Sequence, residues 1–449
     1  MASSGGSTLL RDMLCCPRCA GTLADTDGGW RCERCAGQYP LFGRIPCLMD
    51  DPALWRTIWL RRLDDYTSSI EARVQELQRE AEEGDLLPRT RQRLLRIANG
   101  FAHQLEAVTS LFEPLDEGTD EAVAAAIPSR PEPGSHAAIL ECYEHVFRDW
   151  AWGERECALT LDLIKPLVPA GLGRVAIYGA GAGRLAVDVH QACRPERTLA
   201  FDVNPLPFLI ADKLVAGDAI DLPEFPVDPN SDEVAVVARH LERPFAVRDG
   251  LSFVYADALR PPVPAGSLDA VVTSWFIDVA GADLRQTAAL INRVLRPGGL
   301  WVNLGPLRFQ AVLSRAYTIE EAHEIVAGSA FELLSQDRQE LPYFNSPVSG
   351  SLRTDLVFRF AARKTGEAAA VDIPDPLPPW VANPMAPIPI TPALVALGRT
   401  TMFTTGVLSM IDGQRSIVDV ARELGGAMGV DPARLHDELR AFLARLPGS

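Results

Sequence analysis

The stretch SLDAVVTSWFIDVAGADLRQTAALINRVLRPGGLWVNLGP, residues 267–306, decides the fold of this chain. Two apolar runs, 268–277 and 300–304, flank a segment whose apolar residues recur at helical spacing. Continuous apolar runs are typical of parallel strands that are buried on both faces. The stretch therefore predicts a strand, a crossover helix and a second parallel strand, with the turn 296–299 after the helix.

A glycine-rich loop stands upstream of this unit. The apolar run 174–178 leads into Gly179, Gly181 and Gly183, and a helical pattern follows at 185–192. Glycine adopts backbone conformations that other residues avoid, and it lets a ligand come close to the main chain. A loop of this kind between a strand and a helix predicts a site for a nucleoside cofactor.

Acids and small residues follow the next predicted strands. Asp202 ends the strand after the loop, 19 residues beyond Gly183, where a carboxylate can accept both ribose hydroxyls of an adenosine. Asp257, with Ala258 beside it, is predicted to hold the adenine, and Ser274 is a further candidate for cofactor contact. The alternative for Asp202 is a role as an N-cap or in a turn, and the alternative for Asp257 is a plain turn residue.

The apolar runs together predict an α/β fold, a Rossmann-like class I methyltransferase sheet with helices on both faces. The phrase Pro-Gly-Gly at 297–299 and the trailing strands favour S-adenosylmethionine (SAM) over NAD as the cofactor. The predicted strands lie near 174–178, 198–202, 251–255, 268–274, 299–304, 331–336 and 354–362.

Composition shifts predict several domains around this sheet. The expected order is a zinc ribbon at 13–49, a helical segment at 50–134, a methyltransferase domain at 135–365, a proline-rich linker at 371–392 and a small helical domain at 393–449. Helical spacing breaks off at 113–135, and 217–249 is an insertion rich in acids and prolines, expected to act as a lid.

The first fifty residues carry two CxxC pairs that are separated by twelve residues. Each pair can present two thiolates to one tetrahedral zinc ion, so the site is expected to be structural. The predicted ligands are Cys16, Cys19, Cys32 and Cys35. Cys15 is an alternative to Cys16, a redox dithiol is the alternative function, and Cys47 is expected to be a buried apolar residue.

Charge and hydropathy exclude some classes of protein. The net charge of −16 repels phosphate backbones, so nucleic acid is not expected as a partner. The polar N-terminus does not resemble a signal peptide, and no apolar run reaches the roughly 20 residues that span a bilayer. A soluble, cytoplasmic protein is expected.

Four phrases give the chain a family resemblance. They are Arg-Asp-Trp followed by Gly-Glu-Arg within 148–155, the glycine loop 179–184, Phe-Ile-Asp at 276–278 and Asn-Leu-Gly-Pro-Leu at 303–307. Over residues 135–363 the chain resembles the carnosine N-methyltransferase (N2227-like) family. The resemblance implies a SAM-dependent N-methyltransferase that modifies a histidine imidazole in a small molecule or peptide.

The resemblance also implies roles for individual residues. Arg148 matches an arginine that reaches the SAM carboxylate, and His145 stands where the family has a glutamine with the same task. Arg184 would brace the glycine loop, and Asp202 replaces a glutamate that binds the ribose. Asp278 matches the acid that meets the substrate imidazole. From the sequence alone, the alternative for Asp278 is the N-cap of a helix at 280–290.

Two departures from the family pattern affect the substrate. Gln310 stands in place of a substrate-binding histidine, and residues 352–354 replace a tyrosine-rich segment. Carnosine itself is therefore not the expected substrate. Asn303 and Tyr343 are further candidates for the substrate pocket, and their alternatives are strand-end hydrogen bonding and core packing.

The C-terminal segment 393–449 resembles PqqD-like domains, which bind leader peptides. This resemblance implies recruitment of a peptide substrate, whereas the alternative is a three-helix cap. Two other functions stay open from the sequence alone. They are an RNA methyltransferase guided by the zinc ribbon and a non-catalytic SAM-binding scaffold.

Overall fold

The computed structural model describes residues 10–116, 139, 143–226, 228–309, 313–369, 371, 390, 405–410 and 415–428, with five further positions between 431 and 439. The chain divides into two compact units, Met1–Ile373 and Pro374–Ser449. The predicted substrate residue Gln310 lies outside the described residues, and so does the predicted linker apart from positions 371 and 390.

The cysteine-rich segment forms a small antiparallel sheet in the order β1-β2-β3-β4. Its strands are β1 (Leu23–Thr26), β2 (Gly29–Cys32), β3 (Gln38–Phe42) and β4 (Ile45–Pro46). Trp30 and Leu48 of this segment pack in one cluster with Ala176 and Phe201, which lie more than a hundred residues further along the chain. The segment therefore shares its core with the rest of the first unit.

A sheet of seven strands forms the centre of the first unit, in the order β12-β13-β11-β10-β5-β6-β9. Neighbouring strands are parallel except that β13 is antiparallel to both β11 and β12. The strands are β5 (Arg174–Tyr178), β6 (Arg197–Asp202), β9 (Leu251–Tyr255), β10 (Leu268–Ser274), β11 (Leu295–Gly305), β12 (Phe331–Pro342) and β13 (Thr354–Lys364). All seven predicted strands are present, and the predicted α/β fold is confirmed.

Helices cover both faces of this sheet or stand before it. They are α1 (Pro52–Glu83), α2 (Pro88–Asp116), α3 (Tyr143–Phe147), α4 (Glu154–Ile164), α5 (Arg184–Cys193), α6 (Pro205–Ala216), α7 (Leu284–Val294) and α8 (Ile319–Gly328). A π-helical turn, Arg148–Trp152, joins α3 to α4. The break predicted at 113–135 starts later, because α2 continues to Asp116.

Alternating side chains of the central strand reach the two faces. Val175 and Ile177 of β5 belong to one buried cluster, which includes residues of α5 and α6. Ala176 and Tyr178 belong to the other, which includes residues of α7 and α8. Alternation with a period of two places successive side chains on opposite faces, so a fully apolar strand needs a covered sheet on both sides.

The cysteine-rich sheet joins the edge of the large sheet directly. Cys47, which is fully buried as predicted, forms a parallel bridge with Tyr255 of β9. The Leu48 amide donates a hydrogen bond to the Tyr255 carbonyl at 2.8 Å, and the Cys15 amide donates one to the Pro262 carbonyl at 2.8 Å. This join fixes the cysteine-rich sheet against the strand that precedes the Asp257 loop.

The insertion expected to act as a lid forms a β-hairpin of β7 (Ile220–Glu224) and β8 (Val237–Leu241). Glu224 is buried and accepts hydrogen bonds from Trp152 Nε1 at 3.2 Å and from Ser346 Oγ at 2.9 Å. Arg239 of β8 pairs with the same carboxylate. These bonds attach the hairpin to the π-helical turn and to the segment after β12.

In the second unit, the described residues include the helix α9 (Ile417–Met428). Ser416 caps this helix, since its hydroxyl accepts a hydrogen bond from the Asp419 amide at 3.2 Å. Val407, Leu424 and Leu439 belong to its small buried cluster. None of the helices in the described parts of either unit has the length and apolarity needed to cross a membrane.

Candidate active site

A cavity of about 430 Å³ opens at the carboxyl ends of β5, β6, β9 and β10. The strand order reverses between β5 and β10, and ligands of open α/β sheets bind in the crevice at such a switch point. Sequence-predicted residues in its lining are His145, Arg148, Gly179, Gly181, Asp202, Asp257, Ala258, Ser274 and Tyr343. The fold therefore brings together side chains that are up to about 200 positions apart in the sequence.

The glycine loop forms the floor of this cavity. Gly179 and Gly181 have φ angles of 63° and 54°, in the left-handed region that favours glycine. A Cβ atom at Gly179 would lie 2.6 Å from Cδ2 of Phe276, whereas one at Gly181 would meet no atom within 4 Å. Gly181 therefore borders open space, as the approach of a ligand to the backbone requires.

Asp202 is held rigidly at the end of β6. Its carboxylate accepts hydrogen bonds from the amides of Gly181 at 2.8 Å, Val203 at 2.8 Å and Asn204 at 3.0 Å. Burial raises the pKa of Asp202, and the three amides counteract that effect. A carboxylate has about four acceptor positions, so about one is left for a ribose hydroxyl.

Asp257 follows β9 and lines the opposite wall of the cavity with Ala258. One oxygen of Asp257 accepts a hydrogen bond from the Leu259 amide at 2.8 Å, so the residue also has the predicted turn role. The other oxygen makes no hydrogen bond within the described part of the chain. The arrangement leaves an acceptor for an amino group of a bound base.

The π-helical turn contributes a buried ion pair. Arg148 donates to Asp149 Oδ1 from Nε at 2.8 Å, and its Nη2 lies 2.7 Å from the same oxygen. Burial lowers the pKa of Arg148, but the Asp149 carboxylate has the opposite effect, and the pKa of Arg148 lies above its ordinary value as a result. Arg148 also lies 5.4 Å from the ring centre of Tyr343 and 5.2 Å from that of Phe344. Asp149, which lines the cavity, was not among the predicted site residues.

Further lining residues were missed by the sequence reasoning. Glu156 of α4 is buried and accepts hydrogen bonds from the amides of Phe344 at 3.0 Å and Asn345 at 2.9 Å. Trp275 has a φ of 48° and stacks on Tyr343 with 5.0 Å between ring centres. Next to Trp275 the sequence had pointed to Ser274 and to the Phe-Ile-Asp phrase at 276–278, and next to Glu156 it had pointed to the Gly-Glu-Arg phrase at 153–155, but neither residue itself was predicted.

Asp278 lies just behind the cavity wall. Its neighbours Phe276 and Val279 line the cavity, but Asp278 itself is not part of the lining. The residue is 7% exposed, its Oδ2 accepts a hydrogen bond from the Arg308 amide at 2.9 Å, and its Oδ1 is buried with no partner in the described part of the chain. Burial raises the pKa of Asp278.

The alternative of Asp278 as a helix N-cap is wrong. Helix α7 begins at Leu284, and Asp283 is its N-cap, with a side chain that accepts a hydrogen bond from the Arg285 amide at 2.9 Å. The side chain of Asp278 therefore has no capping task that would explain its burial. An unpaired buried carboxylate oxygen costs free energy unless a ligand satisfies it.

Besides Asp278, three predicted residues are not placed on the cavity surface. Gly183 ends the loop at the start of α5, and the Arg184 side chain pairs with Asp188 at 2.9 Å and donates to the Asp149 carbonyl at 2.9 Å. Asn303 is fully buried, accepts from Thr273 Oγ1 at 2.9 Å and donates to a carbonyl of β13 at 3.2 Å. Arg184 thus braces the π-helical turn, and Asn303 joins strands of the sheet.

The four predicted metal ligands meet in one cluster. The sulfur atoms of Cys16, Cys19, Cys32 and Cys35 all lie within 4.8 Å of one another. The amide of Arg34 approaches the Cys32 sulfur at 3.4 Å, and a Cβ atom at Gly21 would lie 2.9 Å from that sulfur. Four thiolates at this spacing fit a tetrahedral zinc ion, and Cys15 is not part of the cluster.

The sheet order, with β13 antiparallel, and the acid at the end of the second parallel strand define a class I SAM-dependent methyltransferase. A family model described as carnosine N-methyltransferase matches residues 235–345. A carnosine N-methyltransferase of Dictyostelium discoideum is 22% identical over 198 residues, which are 39% of this chain and 41% of that protein. The predicted resemblance to the carnosine N-methyltransferase family is thus confirmed, and the match spans about two fifths of that relative's length.

Two solved structures are also similar to part of this chain. The [4+2]-cyclase SpnF is 15% identical, with a TM-score of 0.35 over 53% of this chain and 98% of that chain. A complex of the Haloferax volcanii Trm112 methyltransferase activator and a putative methyltransferase gives 14% identity and a TM-score of 0.35 over 51% of this chain and 97% of the matched chain.

Proposed function

We propose that this protein is an N-methyltransferase that acts on the imidazole of a histidine in a small molecule or peptide. The observation that supports this most directly is the buried Oδ1 of Asp278, which has no partner within the described residues and lies next to cavity-lining residues. A ring N–H of an imidazole would satisfy that oxygen.

When bound, SAM would supply a methyl group whose carbon bonds to the acceptor nitrogen as its bond to the sulfonium sulfur breaks, so that S-adenosylhomocysteine is the leaving group. In this proposal Asp202 holds the ribose, and Asp257 with Ala258 holds the adenine. Arg148, with His145 beside it, attracts the carboxylate of the methionine part. Ser274 is proposed to contact the same cofactor from the end of β10.

Asp278 is proposed to orient the acceptor. A neutral imidazole is a nucleophile near neutral pH, since its reference pKa is about 6.5. By accepting the N–H of one ring nitrogen, Asp278 fixes the tautomer in which the other nitrogen carries the free lone pair. The same carboxylate stabilises the positive charge that develops on the ring as the new N–C bond forms.

Tyr343 is proposed to form part of the acceptor pocket. It is 6% exposed and stacks on Trp275, and both residues line the cavity, so the stacked pair forms an aromatic part of the cavity wall. A planar imidazole packs well against such a wall. Gln310 and Asn303 remain predictions for substrate contact, although the amide of Asn303 is already engaged by the sheet.

Three finer assignments belong to the same proposal. Zinc in the four-cysteine cluster is proposed to be structural, and four reduced thiolates fit a cytoplasmic location. A leader peptide bound to the C-terminal unit is proposed as a means of recruiting a peptide substrate. Most residues of segment 393–449, to which the leader peptide would bind, lie outside the described part of the second unit.

The first experiment is an acceptor screen. The purified protein is incubated with SAM and separate pools of histidine, carnosine, histidine-containing peptides and RNA, and S-adenosylhomocysteine formation and product mass are followed. We expect a mass increase of one methyl group on an imidazole-containing compound, which fragmentation then locates on a ring nitrogen. Methylation of RNA, or of an aliphatic amine alone, would refute the proposal.

A further inference from the structure

Two arginines and one buried acid form a cluster beside the proposed acceptor site. The Asp355 carboxylate is fully buried in β13. Arg308 donates to its Oδ1 from Nη2 at 2.8 Å, and Arg353 donates to Oδ1 from Nε at 2.9 Å and to Oδ2 from Nη2 at 2.9 Å. One carboxylate therefore organises two guanidinium groups.

The two arginines of this cluster are exposed at the surface, whereas the acid that they share is buried. Asp278 is a further acid beside the cluster, since it interacts electrostatically with Arg308. The side chains of Arg308 and Arg353 are 55% and 48% exposed, whereas that of Asp355 is 1% exposed. Nη1 of both arginines and Nε of Arg308 make no hydrogen bond in the described part of the chain. Glu144 is the other acid that acts on Arg353 electrostatically. The net charge of the whole protein is −16, so exposed guanidinium donors without a hydrogen-bond partner contrast with its acidic composition.

The cluster is tied to the acceptor site through both arginines. The Arg308 backbone amide donates to Asp278 Oδ2 at 2.9 Å, while its side chain reaches Asp355. The Arg353 guanidinium lies 4.8 Å from the ring centre of Tyr343, which lines the cavity, and the Arg353 carbonyl accepts a hydrogen bond from the Tyr343 amide at 3.0 Å. Each arginine that carries free donors thus contacts one of the two residues proposed to hold the imidazole: Arg308 contacts Asp278, and Arg353 contacts Tyr343.

We propose that Arg308 and Arg353 recognise a carboxylate of the acceptor, so that the substrate carries a carboxylate close to its reactive imidazole. A guanidinium offers a planar fork of donors that matches a carboxylate, and Asp355 fixes the orientation of both forks in advance. The inference rests on the proposed function, because Asp278 is taken as the imidazole partner. The carboxylate is either the free terminus of a histidine or the side chain of an acidic neighbour in a peptide.

Matched acceptors test this inference and separate the two sources. The first pair is N-acetylhistidine and N-acetylhistidine amide. The second is a pair of amidated peptides in which the residue next to histidine is Asp or Asn. We expect kcat/KM to favour the carboxylate member of at least one pair by on the order of 10-fold to 100-fold, since a hydrogen bond to a charged group is lost in the other. The pair that shows the preference identifies the source.

Variants of the full-length protein assign the preference to the arginines. In Arg353→Gln the ratio of kcat/KM between carboxylate and amide acceptors should fall towards one, and Arg353→Lys should keep part of it. SAM binding measured by calorimetry checks that each variant is folded. Arg363→Gln is the matched control, because Arg363 lies at the far end of the same strand, is 50% exposed and pairs with Glu332.

The outcomes distinguish the inference from the function on which it rests. Equal use of carboxylate and amide acceptors by the unmodified protein would overturn the carboxylate inference and leave the imidazole function standing. A preference that persists in Arg353→Gln and in Arg308→Gln would also overturn it. If no imidazole is methylated, neither in these pairs nor in the acceptor screen, while SAM binding is intact, both proposals are overturned.

Discussion

Replacing Asp278 by asparagine should separate stability from activity. Asparagine keeps the volume of the side chain and an oxygen that can accept the hydrogen bond from the Arg308 amide. It removes the buried charge whose pKa is raised by burial above the ordinary value of 3.8. The stability that a carboxyl with a raised pKa contributes is present below its unfolded pKa and is lost as pH rises through the folded pKa.

Ionisation of Asp278 is therefore a cost to the folded state, and at neutral pH Asp278→Asn should unfold at the same temperature as the unmodified protein or at a higher one. The affinity for SAM should not change, since Asp278 is not part of the cavity lining. Catalysis should suffer, because the ring N–H would lose a charged acceptor worth about 1.5–3 kcal/mol. That energy corresponds to a loss in kcat/KM of about 10-fold to 150-fold.

Thermal unfolding at pH 7 and at pH 5, SAM calorimetry and steady-state kinetics on a methylated acceptor provide the measurements. The stability difference between Asp278→Asn and the unmodified protein should shrink at the lower pH, where the native carboxyl binds a proton more readily. Asp278→Ala is the companion variant, and it also removes the partner of the Arg308 amide. A variant Asp278→Asn with full activity, or one that is strongly destabilised at pH 7, would refute the reasoning.

Three other perturbations give distinct readouts. Gly181→Arg should abolish SAM binding in calorimetry without loss of the folded circular dichroism spectrum, because its side chain would enter open space at the cavity floor. Arg184→Met should lower the free energy of unfolding by about 3–5 kcal/mol in urea titration, because Asp188 would be left buried without its partner; Arg363→Gln is the control. Removal of zinc by a chelator should lower the melting temperature of the whole first unit. A melting temperature that changes neither on addition of the chelator nor in Cys32→Ser would contradict a structural metal.

Much of the fold was predictable because its strands are buried on both faces. The runs that became β5, β9 and β10 are mostly apolar, and their predicted bounds, 174–178, 251–255 and 268–274, coincide with those in the structure. The strand predicted at 331–336 continues to Pro342 in the structure. The prediction ended too early because the second half of the strand is largely polar and exposed at the sheet edge. An edge strand with solvent on one side loses the continuous apolar signal on which the prediction relied.

The site was predictable only where it follows strand ends. Asp202 and Asp257 could be found because the carboxyl ends of parallel strands meet at one edge of a sheet. Glu156 could not, since its role depends on contacts with amides 188 and 189 positions further along the chain. The π-helical turn that positions Asp149 likewise has no pattern in the sequence that distinguishes it from an ordinary helix.

The bridge between Cys47 and Tyr255 has a consequence for how the chain is made. All strand pairs of the cysteine-rich sheet are local, so this sheet can form as soon as its residues leave the ribosome. The strand it covers, β9, is synthesised about 200 residues later, and until then the Leu48 amide lacks the Tyr255 carbonyl to which it donates in the folded chain, whereas the Cys47 amide can already donate to the Pro40 carbonyl. The cysteine-rich sheet can therefore form early in synthesis, but its contact with β9 can form only after Tyr255 has been made.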